Sequence, residues 1–390
     1  MIHADPTAIA PFLALARDLG ATDLHLTVGV PPVVRLDGML EQIAGYKPFD
    51  VDTLEALSNQ ILSTDLAAQL EQRKELDFAF DFEGDRIRAN VFRVRGSIGF
   101  AFRYIPSAIP DFEELGLPPM IEELVSLPHG LVLVTGPTGS GKSTTLASMI
   151  DWINTHRACH VLTIEDPIEY IHDHKRSIVN QREIGPDADD FHSALRSALR
   201  EDPDVVLVGE MRDPESIAVA LSIAETGHLV FATLHTNDTA QALDRIVDVF
   251  PAERRDQIQV QLASSLQAVI YQRLMPRAAG GLVAAFEIMR ANHAVRNLVR
   301  EGKTRQLRNI VSTHQLEGMQ TLEMSLSALV AEGLVDYETA VGFSIYPREV
   351  ERPWGTPAPR RAEPVYDDWD GDEGDDGTGP QAGRRGLRRR

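Results

Sequence analysis

The sequence predicts an α/β protein with two folded units, the second a parallel sheet wrapped by helices and built around a phosphate-binding loop. Three observations carry that expectation. Apolar, β-branched runs at 131–135, 160–164, 205–208 and 229–234 alternate with helical stretches, the pattern of a sheet with crossover helices. The first run leads directly into Gly136-Pro137-Thr138-Gly139-Ser140-Gly141-Lys142-Ser143, and a helical stretch follows at 144–154. Ahead of these, residues 1–106 show shorter strands and helices of their own.

In chain order, 7–19 carries Ile9, Phe12, Leu13, Leu15, Ala16 and Leu19 at helical spacing, with Gly20 as a stop. Residues 23–28 alternate as a half-buried strand, Pro31 and Pro32 interrupt, and 33–38 resumes as strand and turn. A helical pattern covers 50–70, and three strands are expected at 78–82, 86–94 and 98–104. Prolines at 106 and 110 mark a linker at 107–111, and the larger unit is expected over 112–350. Beyond about 240 the pattern turns mostly helical, with 257–274 the longest amphipathic stretch. The segment 351–390 is proline-rich, then acidic, then basic; it has too little apolar surface to offset its ordering entropy and is expected to be disordered.

Composition narrows the function. A chain of 390 residues with 43% hydrophobic content is long enough for two cores. Its net charge of −20 opposes general attraction to nucleic acid. The single cysteine, Cys159, rules out an intrachain disulfide and a cysteine-cluster metal site, in keeping with a reducing cytoplasm. No apolar run approaches the ~20 residues of a membrane span, and no export signal opens the chain. Any membrane connection is therefore expected to pass through a partner.

The glycines of 136–141 let backbone N–H groups turn inward around a phosphate chain, and the helix N-terminus behind them adds its dipole. Lys142 supplies a charge to the β/γ-phosphates, Ser143 a hydroxyl ligand for Mg²⁺, and Thr144 continues the motif. Hydrolysis further needs a group that orients and deprotonates water. The strand at 160–164 runs into Glu165, Asp166 and Glu169, three carboxylates within five residues, with Pro167 fixing the chain between them. They read as catalytic acids at the ligand-binding edge of the sheet, or as an acidic solvated loop. Glu210 ends a second apolar strand, where an acid holds Mg²⁺, usually through water. Arg212 and Asp213 beside it are positioned for a local ion pair.

His228 and His235 bracket the strand at 229–234. They read as γ-phosphate sensors or as satisfied buried histidines; a metal pair is disfavoured because no third ligand has usable spacing. His172 and His174, in a polar loop, are expected to be solvated. Arg86, Arg88, Arg93, Arg95 and Arg103 cluster in the N-terminal strands. Period-two geometry puts Arg86 with Arg88 and Arg93 with Arg95, either as a solvated face or as cations presented to a neighbour's nucleotide.

Four motifs in fixed order, GPTGSGKSTT, LTIEDPIEY, SALREDPDVVLVGEMRDPESI and AETGHLVFATLHT, resemble the type II secretion and type IV pilus ATPases. The likeness is sharpest to the pilus retraction (twitching motility), PilT-like members: Ala294 to Glu301 is similar to their AIRNLIRE signature, with two conservative changes. It covers about 5–341. It implies a cytoplasmic homo-hexamer at the inner face of the cell membrane, with a PAS-like N-terminal domain, a RecA-like ATPase domain and ATP between them. The implied partners are an inner-membrane pilus platform protein and a paralogous retraction ATPase, with no nucleic acid. By motif, Glu169 resembles the general base, Glu165 a supporting acid and Glu210 the acid that holds Mg²⁺. His228 and His235 match the histidine box, and Arg88 and Arg103 the arginines that reach nucleotide. Arg296 and Asn297 are expected to serve force transmission, with Val295, Leu298 and Val299 packed inward. Ala232 and Asn237-Asp238 depart from the family pattern without removing a charged or phosphate-contacting group. An accessory retraction subunit or an assembly or secretion ATPase are the alternatives; the latter commonly carry a four-cysteine zinc module that a chain with one cysteine cannot build.

Overall fold

The computed structural model describes residues 8–36, 39–105 and 108–352. Pro106, Ser107 of the expected linker, and the expected tail from 353 onward lie outside the described residues. Among the described residues the strands form two sheets within one compact unit. The first is antiparallel, with β1 Asp23–Leu26, β2 Val33–Leu36, β3 Met39–Gln42, β4 Glu75–Phe82, β5 Asp85–Val94 and β6 Ser97–Ile105 in the order β3-β2-β1-β6-β5-β4. Its buried face, with Leu24, Ile87, Val91, Phe100 and Phe102, packs on Phe12 and Leu13 of helix Ala10–Asp18 and on Leu54 and Leu57 of helix Val51–Ile61. Along β5, Ile87, Ala89 and Val91 point into this core, which sends Arg86 and Arg88 to the other face.

Two expectations change here. The helical stretch 50–70 is two helices, Val51–Ile61 and Thr64–Arg73. Leu62 is extended between them, and the Ser63 hydroxyl caps the second by accepting the N–H of Leu66. The edge strand β3 was not anticipated, because its four side chains are all exposed and carry no alternation.

The second sheet has seven strands: β7 Gly130–Thr135, β8 His160–Glu165, β9 Ile178–Glu183, β10 Val205–Val208, β11 Leu229–Leu234, β12 Leu266–Pro276 and β13 Leu282–Arg290. They run in the order β13-β12-β7-β11-β10-β8-β9, parallel throughout except for the β12–β13 pair. The expected helix over 257–274 is therefore wrong in its second half: helix Ala252–Ser265 stops and β12 begins at Leu266. Ala268 and Ile270 fill one core layer while Leu266 and Val269 fill the other, so β12 is apolar on both faces. A strand buried on both sides loses its alternation and cannot be told from a buried helix by period alone. Strand β9 also went unread. No helix among the described residues is long and apolar enough to cross a membrane.

Candidate active site

Parallel pairing brings the C-terminal ends of β7, β8, β10 and β11 to one edge of the sheet, where the phosphate loop, the acidic loop, Glu210 and His235 follow in turn. That is the edge at which open α/β sheets bind ligands. Residues Thr138 to Thr144, Glu165, Glu169, Glu210 and His235 line a cleft of about 470 Å³ there. The cleft is closed on its other side by Arg88 and Arg103, which face each other across β5 and β6. These arginines thus line the same cleft as the phosphate loop of their own chain, with Arg103 also held by Asp23 at 2.9 Å.

The loop's shape demands its glycines. Gly136 has φ +147°, and a Cβ there would stand 2.3 Å from the carbonyl oxygen of Gln272. Gly141, with φ +85°, caps helix Lys142–His156 and lies against the Gln272 amide. Lys142 is 8% exposed, and its ammonium donates to the carbonyls of Gly136 and Pro137 at 2.9 and 3.0 Å. Burial pushes its pKa down against the charges of Glu210 and Glu169. Thr145 donates to Gln272 Oε1 at 2.8 Å, locking the helix start to β12.

The acids divide into two environments. Glu165 is half-buried along the cleft wall. Burial raises its pKa to about 7, although Thr163 Oγ1 donates to it at 2.7 Å and Gln181, with the Glu169 backbone, adds further hydrogen bonds. Glu169 is exposed at the mouth of the cleft. The peptide bond between Asp166 and Pro167 is cis. For Glu210, burial works against the charge, but Arg212 and His235 outweigh it and hold the carboxyl below the usual range. Arg212 lies 2.6 Å from Glu210 Oε2, so its expected pairing with Asp213 does not form. Asp213 instead accepts the N–H of Ser216 and caps helix Pro214–Glu225.

His228 is not brought to this edge. It precedes β11, where its carbonyl accepts the N–H of Gly130 at the start of β7, and its Nδ1 lies 3.0 Å from the Ile223 carbonyl. The length of β11, roughly 20 Å at the usual rise per residue, separates it from His235. His172 is likewise not solvated. Its loop folds back onto helix Lys142–His156, with Asn154 donating to the Asp173 carbonyl at 2.6 Å. His172 is left 7% exposed, and burial lowers its pKa to about 4. Among the arginines, Arg93 pairs with Glu55 and Glu71 of the N-terminal helices, away from the cleft. Arg95 sits in a turn with φ +50°.

Two residues of the site were not singled out from the sequence. Tyr170 lines the cleft and hydrogen-bonds Thr144 Oγ1 at 2.9 Å. Its place at the end of the acidic motif was the available signal. Gln272 backs the phosphate loop from β12, inside the stretch read as helix.

Residues 107–301 match the family model described as type II/IV secretion system protein. The chain is 49% identical over 333 residues to the type IV pilus retraction ATPase PilT of Pseudomonas aeruginosa, covering 85% of this chain and 96% of that protein. It is 47% identical over 311 residues to a twitching motility protein of Neisseria gonorrhoeae, covering 79% and 83%. A crystal structure of the pilus retraction motor PilT with bound ADP aligns with TM-score 0.82 at 48% identity, covering 88% of this chain and 98% of that one.

Proposed function

Since this chain belongs to the type II/IV secretion system protein family, among its pilus retraction ATPases, we propose that it works as a homo-hexameric motor. It hydrolyses ATP in the cleft between its two sheets and couples this to withdrawal of pilin at an inner-membrane platform protein. The observation that carries the reading is the convergence of Arg88 and Arg103 from the N-terminal sheet on the cleft that holds Lys142, Glu169 and Glu210. Cations and acids then line one cleft, the arrangement phosphoryl transfer requires.

In this reading Lys142 exchanges the carbonyls of Gly136 and Pro137 for β/γ-phosphate oxygens. Glu169 orients a water and takes its proton as the water oxygen attacks the γ-phosphorus and ADP leaves with the bridging oxygen. Glu165 supports the loop from behind. Ser143 and Glu210 both line the cleft, and a hydroxyl with an ionised carboxylate is an oxygen donor set that suits Mg²⁺. These residues would hold Mg²⁺, which would supply charge neutralisation on the phosphates. Arg88 and Arg103 add positive charge from the opposite wall.

The motor acts from the cytoplasm at the inner face of the membrane, through the platform protein. A strain deleted for its own retraction ATPase, complemented with this chain, tests the reading. Twitching should return with the native sequence. Continued loss of twitching beside normal purified ATPase activity would favour an accessory subunit that needs a paralogous motor.

A further inference from the structure

Glu183 closes the edge strand β9, in register with Glu165 on β8, and is 6% exposed. Its Oε2 accepts the N–H of Ile168 at 3.2 Å and lies 3.6 Å from Nη2 of Arg86. Ile168 stands between Pro167 and Glu169. Arg86 stands two residues before Arg88, on the same face of β5. One carboxylate oxygen therefore joins the N-terminal sheet to the backbone of the acidic loop. A carboxylate this buried is costly unless both a countercharge and a hydrogen-bond donor meet it.

We propose that Arg86 is a positioning residue whose ion pair with Glu183 makes placement of Glu169 depend on docking of the N-terminal sheet. When that sheet is docked, Arg86 neutralises Glu183, and Glu183 holds the backbone next to Glu169. When it withdraws, Glu183 loses its cation, and its grip on Ile168 is disturbed. Arg88 and Arg103 leave the cleft in the same movement, because Arg88 shares β5 with Arg86. Hydrolysis is thereby confined to the closed arrangement. Arg86 also holds the exposed Asp81 at 3.1 Å, a contact on the N-terminal sheet alone. The inference rests on the reading of Glu169 as the water-orienting acid.

The test is a double-mutant cycle in the full chain: Arg86→Gln, Glu183→Gln and both together, with Arg86→Lys and Asp81→Asn alongside. Glutamine at 183 keeps an acceptor for Ile168 while removing the charge. Each single change should lower kcat for ATP by about tenfold, within the roughly 10²-fold that a small misplacement near the chemistry can cost. The KM for ATP should move little. The double variant should be no worse than the worse single, Arg86→Lys should recover most of the loss, and Asp81→Asn should match the parent. Losses that multiply in the double variant, or that fall on KM with kcat intact, overturn the proposal. If the cycle shows coupling while Glu169→Gln stays active, the latch stands and Glu169 is the wrong base. Hexamer size and thermal melts identify any variant that fails to fold, and Arg86→Lys then decides through its kcat.

Discussion

The ammonium of Lys142 lies 3.5 Å from Nδ1 of His235, whose Nε2 lies 3.4 Å from Glu210. The phosphate-loop cation, the imidazole after β11 and the carboxylate after β10 thus form one line across the cleft. Lys142 is also tied to the loop carbonyls of Gly136 and Pro137.

Lys142→Ala should bind ATP weakly and reduce steady-state turnover to background, because the β/γ-phosphates lose their direct cation in a partly desolvated site. Nucleotide titration and a phosphate-release assay on the purified hexamer check this. Near-normal turnover would remove the phosphate loop from the mechanism.

Glu169→Gln should retain ATP binding and lose about 10²–10⁴-fold in turnover, the usual cost of removing a general base. The amide keeps the shape but accepts no proton. If the defect appears in Glu165→Gln instead, the two acids exchange roles. Both acids line the cleft; Glu169 is the more exposed, while Glu165 is half-buried and held by Thr163 and Gln181, which favours the first outcome.

Glu165 also predicts a pH dependence of stability. Its pKa rises from 4.5 to about 7 on folding, chiefly by burial. Between those values the folded chain holds a proton that the unfolded chain has released. Stability from this group is therefore fully present below 4.5 and is lost as pH rises through about 7. Relative to Glu165→Gln, the parent should lose roughly 2–3 kcal/mol between about pH 5 and pH 8, at 1.36 kcal/mol per pKa unit. Denaturant melts of both proteins without nucleotide measure the difference. A constant gap across that range would show that the carboxyl is hydrated.

How much of this was legible depended on whether the signal was local. Lys142 and Ser143 declare themselves because loop, strand and helix are contiguous. Arg88 and Arg103 were named through family likeness, but only the β5–β6 register explains why they meet. Gln272 was hidden because β12 is apolar on both faces. His172 was misread because its neighbours are polar, whereas Asn154 pins the loop from a distant helix. The Arg86–Glu183 contact joins two sheets almost a hundred residues apart, and no local pattern announces such a pair.

The segment around helix His293–Arg300 separates two roles that the sequence reading had merged. Val295 and Val299 are buried and Leu298 partly so, as the helical pattern predicts. Arg296 has a structural role beside the one expected for it in force transmission. Its guanidinium donates to the carbonyls of Ala291, Ala263 and Ser264 at 2.9, 2.7 and 2.8 Å, and to Gln267 Oε1 at 3.2 Å. It therefore closes the C-terminal end of helix Ala252–Ser265, where carbonyls lack helical partners. Arg296→Ala should destabilise the fold by about 2 kcal/mol, the scale of leaving such carbonyls without their charged donor. Asn297 and Arg300 are exposed, and the Arg300 guanidinium donates to Asn297 Oδ1 at 2.8 Å. Their alanine variants should keep the parent's melting temperature, hexamer and ATPase rate while pili accumulate unretracted. Thermal melts, ATPase assays and pilus counts in complemented cells measure all three variants together. Loss of ATPase in Asn297→Ala would mean that this face supports the ring rather than its output.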